Sequence, residues 1–277
     1  VSNVPNLKLN NGVEMPQLGF GVFQVPDEET AAVVSAALHA GYRSIDTAAL
    51  YGNEVGVGKA LAAAELERDE LFVTTKLWNS DQGYDKTLRA FDASLEKLGL
   101  EQLDLYLIHW PTPARNLYLD TWKAFEKLYA DGRVRAIGVS NFQQAHLERI
   151  LETGGTVPAV NQIELHPYLT QDDLRVFDAR HEIATEAWSP LAKGGDLLRE
   201  LTIATLAEKH GRTPAQIVIR WHLQLGNIVI PKSVTPTRIR ENFDVFDFTL
   251  SDNEVAAVSA LDRHLRTGPD PDTFNDA

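Results

Sequence analysis

Asp46, Tyr51, Lys76 and His109 carry the side-chain types of an acid–base site, and each lies at or just past the end of an apolar run. Arg43-Ser44-Ile45 leads into Asp46, with Tyr51 at the mouth of the helix that follows. Leu71-Phe72-Val73-Thr74-Thr75 leads into Lys76, and Leu103-Asp104-Leu105-Tyr106-Leu107-Ile108 into His109. Brought together, they make a proton donor for a carbonyl oxygen. A free phenol, with a pKa of ~10, is a poor acid near neutrality. An ammonium a few ångströms away favours the phenolate and lowers that pKa, and a carboxylate beside the lysine keeps it charged in a dry pocket. The histidine fixes the lone pair of the substrate oxygen. Taken singly, each residue has a plainer use: Asp46 as a helix cap, Lys76 as a solvent-facing side chain, His109 and Tyr51 as packing. Their common position at strand ends is what sets them apart.

The elements that must hold these residues alternate. Apolar runs at 17–22, 44–45, 71–75, 103–108, 136–139, 159–162, 183–187 and 228–230 read as short strands, several apolar on both faces as helix-covered strands are. Helical stretches fall at 28–40, 54–63, 84–98, 117–130, 144–152, 170–180, 213–225 and 236–242. Gly41, Gly99, Gly132 and Gly226 stand just past helix ends, and Thr213-Pro214 opens a helix. Ser251-Asp252-Asn253-Glu254 is a capping box for a further helix over 251–261. Ahead of all this, Leu7 to Met15 alternates around Asn11-Gly12, the signature of a hairpin that plugs or decorates one end of a larger body. Eight such units without a linker favour a closed (β/α)8 TIM barrel forming one domain over 1–277, with the hairpin at 7–16 and a polar tail at 263–277. An open doubly wound sheet is the alternative. It lacks its Gly-rich turn, because Gly19-Phe20-Gly21-Val22-Phe23-Gln24 has no third glycine, and 52–59 fails as a phosphate loop because Ala60 follows Lys59.

In a barrel of this kind chemistry sits where strands end. Beyond Asp46, Lys76 and His109, the ends of the later strands carry Ser140-Asn141, Gln162, Trp188-Ser189 and Lys232-Ser233, so that polar or aromatic side chains ring one pocket. The seven other histidines share no spacing and read as structural or surface residues; no ligand cluster favours a metal. The chain has 277 residues, no cysteine and a net charge of −13. That charge argues against nucleic acid as a partner, and it requires any anionic ligand to be met by a few local cations. The opening segment lacks the basic and apolar regions of a signal peptide and no apolar run is long enough to span a bilayer. The absence of cysteine, and so of disulfides, fits a cytoplasmic protein, which is the expectation. No exposed apolar stripe stands out, and a monomer is the default.

Gly41 to Ala48, Leu103 to Pro111, Gly138 to Phe142, Asn161 to Glu164 and Ile230 to Pro236 resemble the aldo-keto reductase superfamily, over about residues 7 to 262. Ala49 to Glu54, Thr75 to Asn79 and Asp244 to Phe248 are most similar to its bacterial branch containing 2,5-diketo-D-gluconate reductase. The resemblance implies a (β/α)8 fold that binds NADPH/NADP+ without a Rossmann domain and reduces small aldehydes and ketones, dicarbonyls or keto-sugar acids, to alcohols. It makes Tyr51 the proton donor, Asp46 and Lys76 its tuning pair, and His109 the residue that orients the carbonyl. Ser140, Asn141 and Gln162 would hold the nicotinamide carboxamide. Trp188 would stack on the ring where many relatives carry tyrosine, with Gly21, Ser189, Pro190 and Leu191 completing that part of the cofactor site.

Lys232, Ser233, Val234, Thr235, Arg238, Glu241 and Asn242 put two cations and two hydroxyls at a helix start, either an ordinary cap or, with the resemblance, a seat for the 2′-phosphate. Charge-assisted bonds to that phosphate are worth ~1.5–3 kcal/mol each. One alone gives about tenfold preference for NADPH. Phe23, Trp78, His109 and Trp110 line the expected substrate pocket with Tyr51 and Phe274, while Trp122 and Trp221 sit inside helices as core. Short connections at 112–116 and 192–196 would leave the pocket shallow, and Arg115 is the one nearby cation for a substrate carboxylate. Two alternatives stay open: Lys76 as a Schiff-base lysine of a lyase, and an NADPH-binding redox-sensing module with little turnover.

Overall fold

The computed structural model describes residues 3–277; Val1 and Ser2, part of the segment read above for a leader, lie outside the described residues. Strands β1 (Asn6–Lys8) and β2 (Glu14–Pro16) form the expected antiparallel hairpin, with Leu7 opposite Met15. Its loop differs from a two-residue Asn-Gly turn. Gly12 donates to the Leu9 carbonyl and takes φ 89°, while Asn11 keeps negative φ and spends its side chain on the Arg135 carbonyl at 2.9 Å. Leu9 and Met15 then pack with Phe72, Leu105, Leu107 and Val160, so the hairpin stoppers the N-terminal end of the structure behind it.

That structure is eight parallel strands in consecutive order: β3 (Phe20–Gly21), β4 (Ser44–Asp46), β5 (Phe72–Leu77), β6 (Leu103–Ile108), β7 (Val134–Ser140), β8 (Val160–Glu164), β9 (Ala184–Trp188) and β10 (Ile228–Val229). A parallel bridge between Leu18 and Val229 joins first to last, backed by Gly19 N–H to the Val229 carbonyl and Val229 N–H to the Gln17 carbonyl, both 2.9 Å. The barrel is therefore closed, as the repeat of strand and helix requires. Its outer ring is α1 (Asp27–Ala40), α2 (Glu54–Ala63), α3 (Tyr84–Leu98), α4 (Tyr118–Ala130), α5 (Gln144–Glu152), α6 (Asp172–Arg180), α7 (Leu201–His210), α8 (Pro214–Gln224), α9 (Pro236–Phe243) and α10 (Asp252–Ser259). The ring closes over the same seam. Helix α1 ends at Gly41, where φ is 114° and a Cβ would lie 2.7 Å from the Phe243 ring, so only glycine lets α9 approach. Tyr42 then donates from its hydroxyl to the Ile239 carbonyl of α9 at 3.0 Å.

The capping box at Ser251 forms as read, and the helix start at Thr213-Pro214 proves to carry a second box, closed by Gln216. Trp122 and Trp221 are buried core, each indole N–H satisfied, by the Thr156 carbonyl and the Ser259 hydroxyl. Several readings need correction. Strand β8 runs on to Glu164, so Gln162 lies inside it rather than at its end. Lys76 lies inside β5 rather than past it, because the strand runs on to Leu77. Helix α7 was not expected, although Ile203, Leu206 and Ala207 bury one face and Gly211 caps it at φ 61°. Consequently the connection after β9 runs from Ser189 to Glu200 instead of closing by Asp196, and it is not short. Among the described residues no helix is long and apolar enough to cross a membrane.

Candidate active site

The C-terminal ends of β4 and β5 bring Asp46 and Lys76 side by side, and a 3-10 turn (Ala49–Tyr51) swings Tyr51 over them. Lys76 is wholly buried. Its ammonium donates to Asp46 Oδ1 at 2.6 Å, to the Thr47 carbonyl at 3.0 Å and to the Tyr51 hydroxyl at 3.2 Å. The turn is pinned from below: Thr47 Oγ1 donates to Asn53 Oδ1, and Asn53 Nδ2 donates to the Val22 and Val25 carbonyls, tying β3 to β4. His109, at the end of β6, sets its ring 5.8 Å from that of Tyr51, edge-on.

Burial pulls the Lys76 ammonium down, yet Asp46 and Tyr51 together outweigh it and hold the group above its ordinary value. A charged lysine is no Schiff-base nucleophile, so the lyase alternative loses its reactive amine. Burial drives His109 well below the ordinary histidine value, with Lys76 adding to the effect, so its ring is neutral and able to donate from one nitrogen. Tyr51 departs from expectation. Burial raises its phenol, Lys76 lowers it by charge and by hydrogen bond, Asp46 and Glu186 raise it again, and the net shift is upward. The ammonium acts in the expected direction, but desolvation is the larger effect.

The next strands close the ring. Gln162 on β8 donates from Nε2 to Asp46 Oδ2 at 2.8 Å, so both carboxylate oxygens are engaged. Ser140 Oγ donates to the Gln162 carbonyl at 2.8 Å. Asn141 Nδ2 donates to the His109 carbonyl at 2.9 Å, and Trp188 Nε1 donates to Asn141 Oδ1 at 2.8 Å. Asn141 and Ser189 both sit at positive φ, 62° and 44°, a conformation that costs non-glycine residues of order 1 kcal/mol and gathers at functional sites. Pro190 and Leu191 continue from Ser189, and the Pro190 carbonyl is held by His222.

Across the seam, Gly21 faces the Ile230 carbonyl and the Lys232 side chain, 3.4 and 4.0 Å from where a Cβ would stand. Helix α9 begins after Thr235, whose N–H donates to Ser233 Oγ at 3.1 Å. Lys232 and Arg238 are exposed there, with Val234 beside them, and neither cation is in an ion pair among the described residues. Glu241 and Asn242 lie on the same helix, Asn242 buried.

An aromatic wall surrounds Tyr51 and His109. Phe23, 46% exposed, has its ring 5.2 Å from Tyr51, and Trp78 is 5.4 Å from His109. Trp110 stacks over His109 at 6.4 Å and meets Phe274 at 4.5 Å. The tail from Arg263 to Ala277 lies folded across this mouth. Glu164, at the end of β8, accepts from Thr267 N (2.6 Å), Thr267 Oγ1 (2.9 Å), Gly268 N (2.9 Å) and His166 (2.8 Å). Farther on, Asn275 accepts from the Ala114 N–H beside Arg115, and Asn79 donates to the Asp276 carbonyl at 2.7 Å. This strap, and the longer connection after β9 that Lys193 ties to it through the Thr267 carbonyl, stand where only short loops were expected.

Sequence reasoning missed three participants. Asn53 lay within the Tyr51-Gly52-Asn53-Glu54 stretch, Glu164 two residues beyond Gln162, and Glu186 two before Trp188. Each shared a strand face or turn with an identified residue, which was the available signal.

The sequence profile of the Aldo/keto reductase family matches residues 17–263. A protein of Mycobacterium sp. (strain KMS) named aldo-keto reductase is 58% identical over 271 residues, 98% of either chain. Methylglyoxal reductase DkgA of Yersinia pestis is 55% identical over 271 residues, 98% of this chain and 97% of its own. The crystal structure of a Gox0644 variant in complex with NADPH superposes with a TM-score of 0.95 at 53% identity, covering 99% of both chains.

Proposed function

This chain belongs to the aldo/keto reductase family, and on that premise we propose that Tyr51 protonates the carbonyl oxygen of small aldehydes and ketones as NADPH reduces them. Dicarbonyls such as methylglyoxal and keto-sugar acids such as 2,5-diketo-D-gluconate are the substrates put forward. The protein is an NADP-dependent oxidoreductase, and NADP(H) supplies the hydride. One observation carries the reading: a single buried ammonium, Lys76, donates to both Asp46 and the Tyr51 hydroxyl, at 2.6 and 3.2 Å.

Because burial keeps Tyr51 protonated, the donor is loaded at neutral pH. As charge develops on the substrate oxygen the proton crosses to it, and the phenolate left behind is stabilised by Lys76 at hydrogen-bonding distance. Asp46 keeps that lysine charged and in place. Neutral His109, walled by Trp78 and Trp110, donates to the carbonyl and fixes its orientation. The protein's residues fit the cofactor. Lys232 and Arg238 stand exposed at the head of α9 in an acidic chain, outside any ion pair among the described residues, suited to the 2′-phosphate. Ser140, Asn141 and Gln162 cluster as amide and hydroxyl groups, with the indole N–H edge of Trp188 on Asn141, a set suited to the carboxamide and ring.

Loss of NADPH absorbance with methylglyoxal, α-diketones and diketogluconate tests the reading. Tyr51→Phe should remove nearly all turnover while NADPH still quenches the protein's tryptophan fluorescence. Undiminished turnover would remove Tyr51 from the role.

A further inference from the structure

Along β9, side chains alternate between the barrel interior and the helices. Thr185 points outward, its hydroxyl donating to Asp178 of α6 at 2.9 Å. Glu186 and Trp188 therefore point inward, and Trp188 reaches Asn141 in the site. Glu186 is wholly buried, in register with Gln162 on β8 and with apolar Ile228 on β10. Neither of its carboxyl oxygens has a hydrogen-bond partner among the described residues. The Gln162 amide lies close enough to favour its charged form, and Asp46 takes one of its two N–H groups. The charged or titratable groups that face Glu186 are Asp46 from β4, Lys76 from β5 and Tyr51 from the turn after β4.

A buried carboxylate without a donor is far costlier than the neutral acid. The charges nearby are already balanced, since the Lys76 ammonium matches the Asp46 carboxylate. A second carboxylate would leave the interior with one uncompensated negative charge beside the phenol.

Resting on the assignment of Tyr51 as donor, we propose that Glu186 is a positioning residue that supports reduction only as an uncharged carboxylic acid. Neutral, it leaves the Gln162 amide on Asp46 and the lysine–aspartate pair balanced around Tyr51. On losing its proton to solvent it becomes an anion that pulls the Gln162 amide toward itself and opposes formation of the Tyr51 phenolate. Both effects weaken proton donation. Burial, with Asp46 adding to it, pushes the Glu186 carboxyl up to about 8, against the pull of Gln162 and Lys76. The group is thus mostly protonated at neutral pH and titrates just above it.

The test reads single-turnover NADPH oxidation with methylglyoxal, compared at about pH 6 and about pH 9, in wild type and Glu186→Gln. One unit beyond the midpoint the neutral fraction is about a tenth, so the wild-type rate should fall roughly tenfold over that interval. The glutamine variant, fixed in the neutral form, should show a ratio near one. The same tenfold fall in the variant would overturn the proposal. Infrared spectroscopy of the protein carrying carboxyl-13C glutamate gives a readout independent of turnover and of the variant's folding. A protonated-carboxyl band that shifts with the label at neutral pH and fades near pH 8 supports the proposal, and absence of that band overturns it. Failure of the Tyr51 assignment would appear instead as retained turnover in Tyr51→Phe.

Discussion

Lys76 has three N–H donors and uses all of them, on a carboxylate, a backbone carbonyl and the phenol. An ammonium so committed cannot rotate away, which makes it a fixed electrostatic support for Tyr51 rather than a mobile charge. Arg238 presents the opposite case. It is exposed, and its guanidinium is in no ion pair among the described residues. If it meets the cofactor's 2′-phosphate, deleting it forfeits a charge-assisted bond worth ~1.5–3 kcal/mol. Arg238→Ala should therefore raise KM for NADPH by about tenfold or more while leaving KM for NADH little changed. Steady-state kinetics with both cofactors decides the matter, and equal effects on the two would dismiss the phosphate assignment.

Among the elements, the tail is the one in which a single side chain gathers the most hydrogen bonds. Glu164 accepts three hydrogen bonds from Thr267 and Gly268, and burial, which would raise its carboxyl, is outweighed by His166 and these tail donors. Gly268 fits because a Cβ there would stand 2.5 Å from Cη2 of Trp188, so clamp and indole are packed against each other. Glu164→Ala removes charged acceptors from the tail backbone. Amide exchange at 265–277 should then accelerate about tenfold or more, in proportion to the ~1.5–3 kcal/mol of such bonds. Unchanged exchange would show that Phe274 on Trp110 and the contacts of Asn275 and Asp276 suffice to hold it.

The tail also shows where reading the sequence stops. Strands and helices were legible because apolar runs, Gly41 and Gly99, and the Ser251 box carry local signals. Asp46, Lys76 and His109 were legible because each ends an apolar run. The clamp joins residues 164 and 268, a pairing that no local pattern encodes. Helix α7 was missed although Gly211 caps it; its start carries Leu201 at 80% exposure, an apolar residue off the buried face that blurs the pattern there. The upward shift of Tyr51 depends on how completely neighbouring strands exclude water, which only packing reveals.

For the molecule as a whole, several buried titratable groups set how stability varies with pH. His222 is fully buried. Its Nε2 donates to the Pro190 carbonyl at 3.0 Å, leaving Nδ1 to accept from Asn227 at 3.3 Å, an arrangement only the neutral ring satisfies. Burial pushes it down to about 3, below the ordinary histidine value of 6.5. Its contribution is therefore complete above about pH 6.5 and is lost as pH falls toward 3. Glu186 and Asp178, raised by burial to about 8 and about 7, act in reverse and favour the fold as pH falls. Urea unfolding of wild type and His222→Gln should show the variant less stable at neutral pH, with the gap narrowing by about 2 kcal/mol between pH 7 and pH 5. Parallel curves would contradict this.

The seam from Leu18 to Val229 ties one of the first strands to the last. A chain emerging from the ribosome holds seven strands with two raw borders, at β3 and β9, until residue 229 is free of the exit tunnel. Such borders recruit strangers as readily as their own partner. The interval between translating β9 and translating β10 therefore leaves both borders open, and shortening it shortens that exposure.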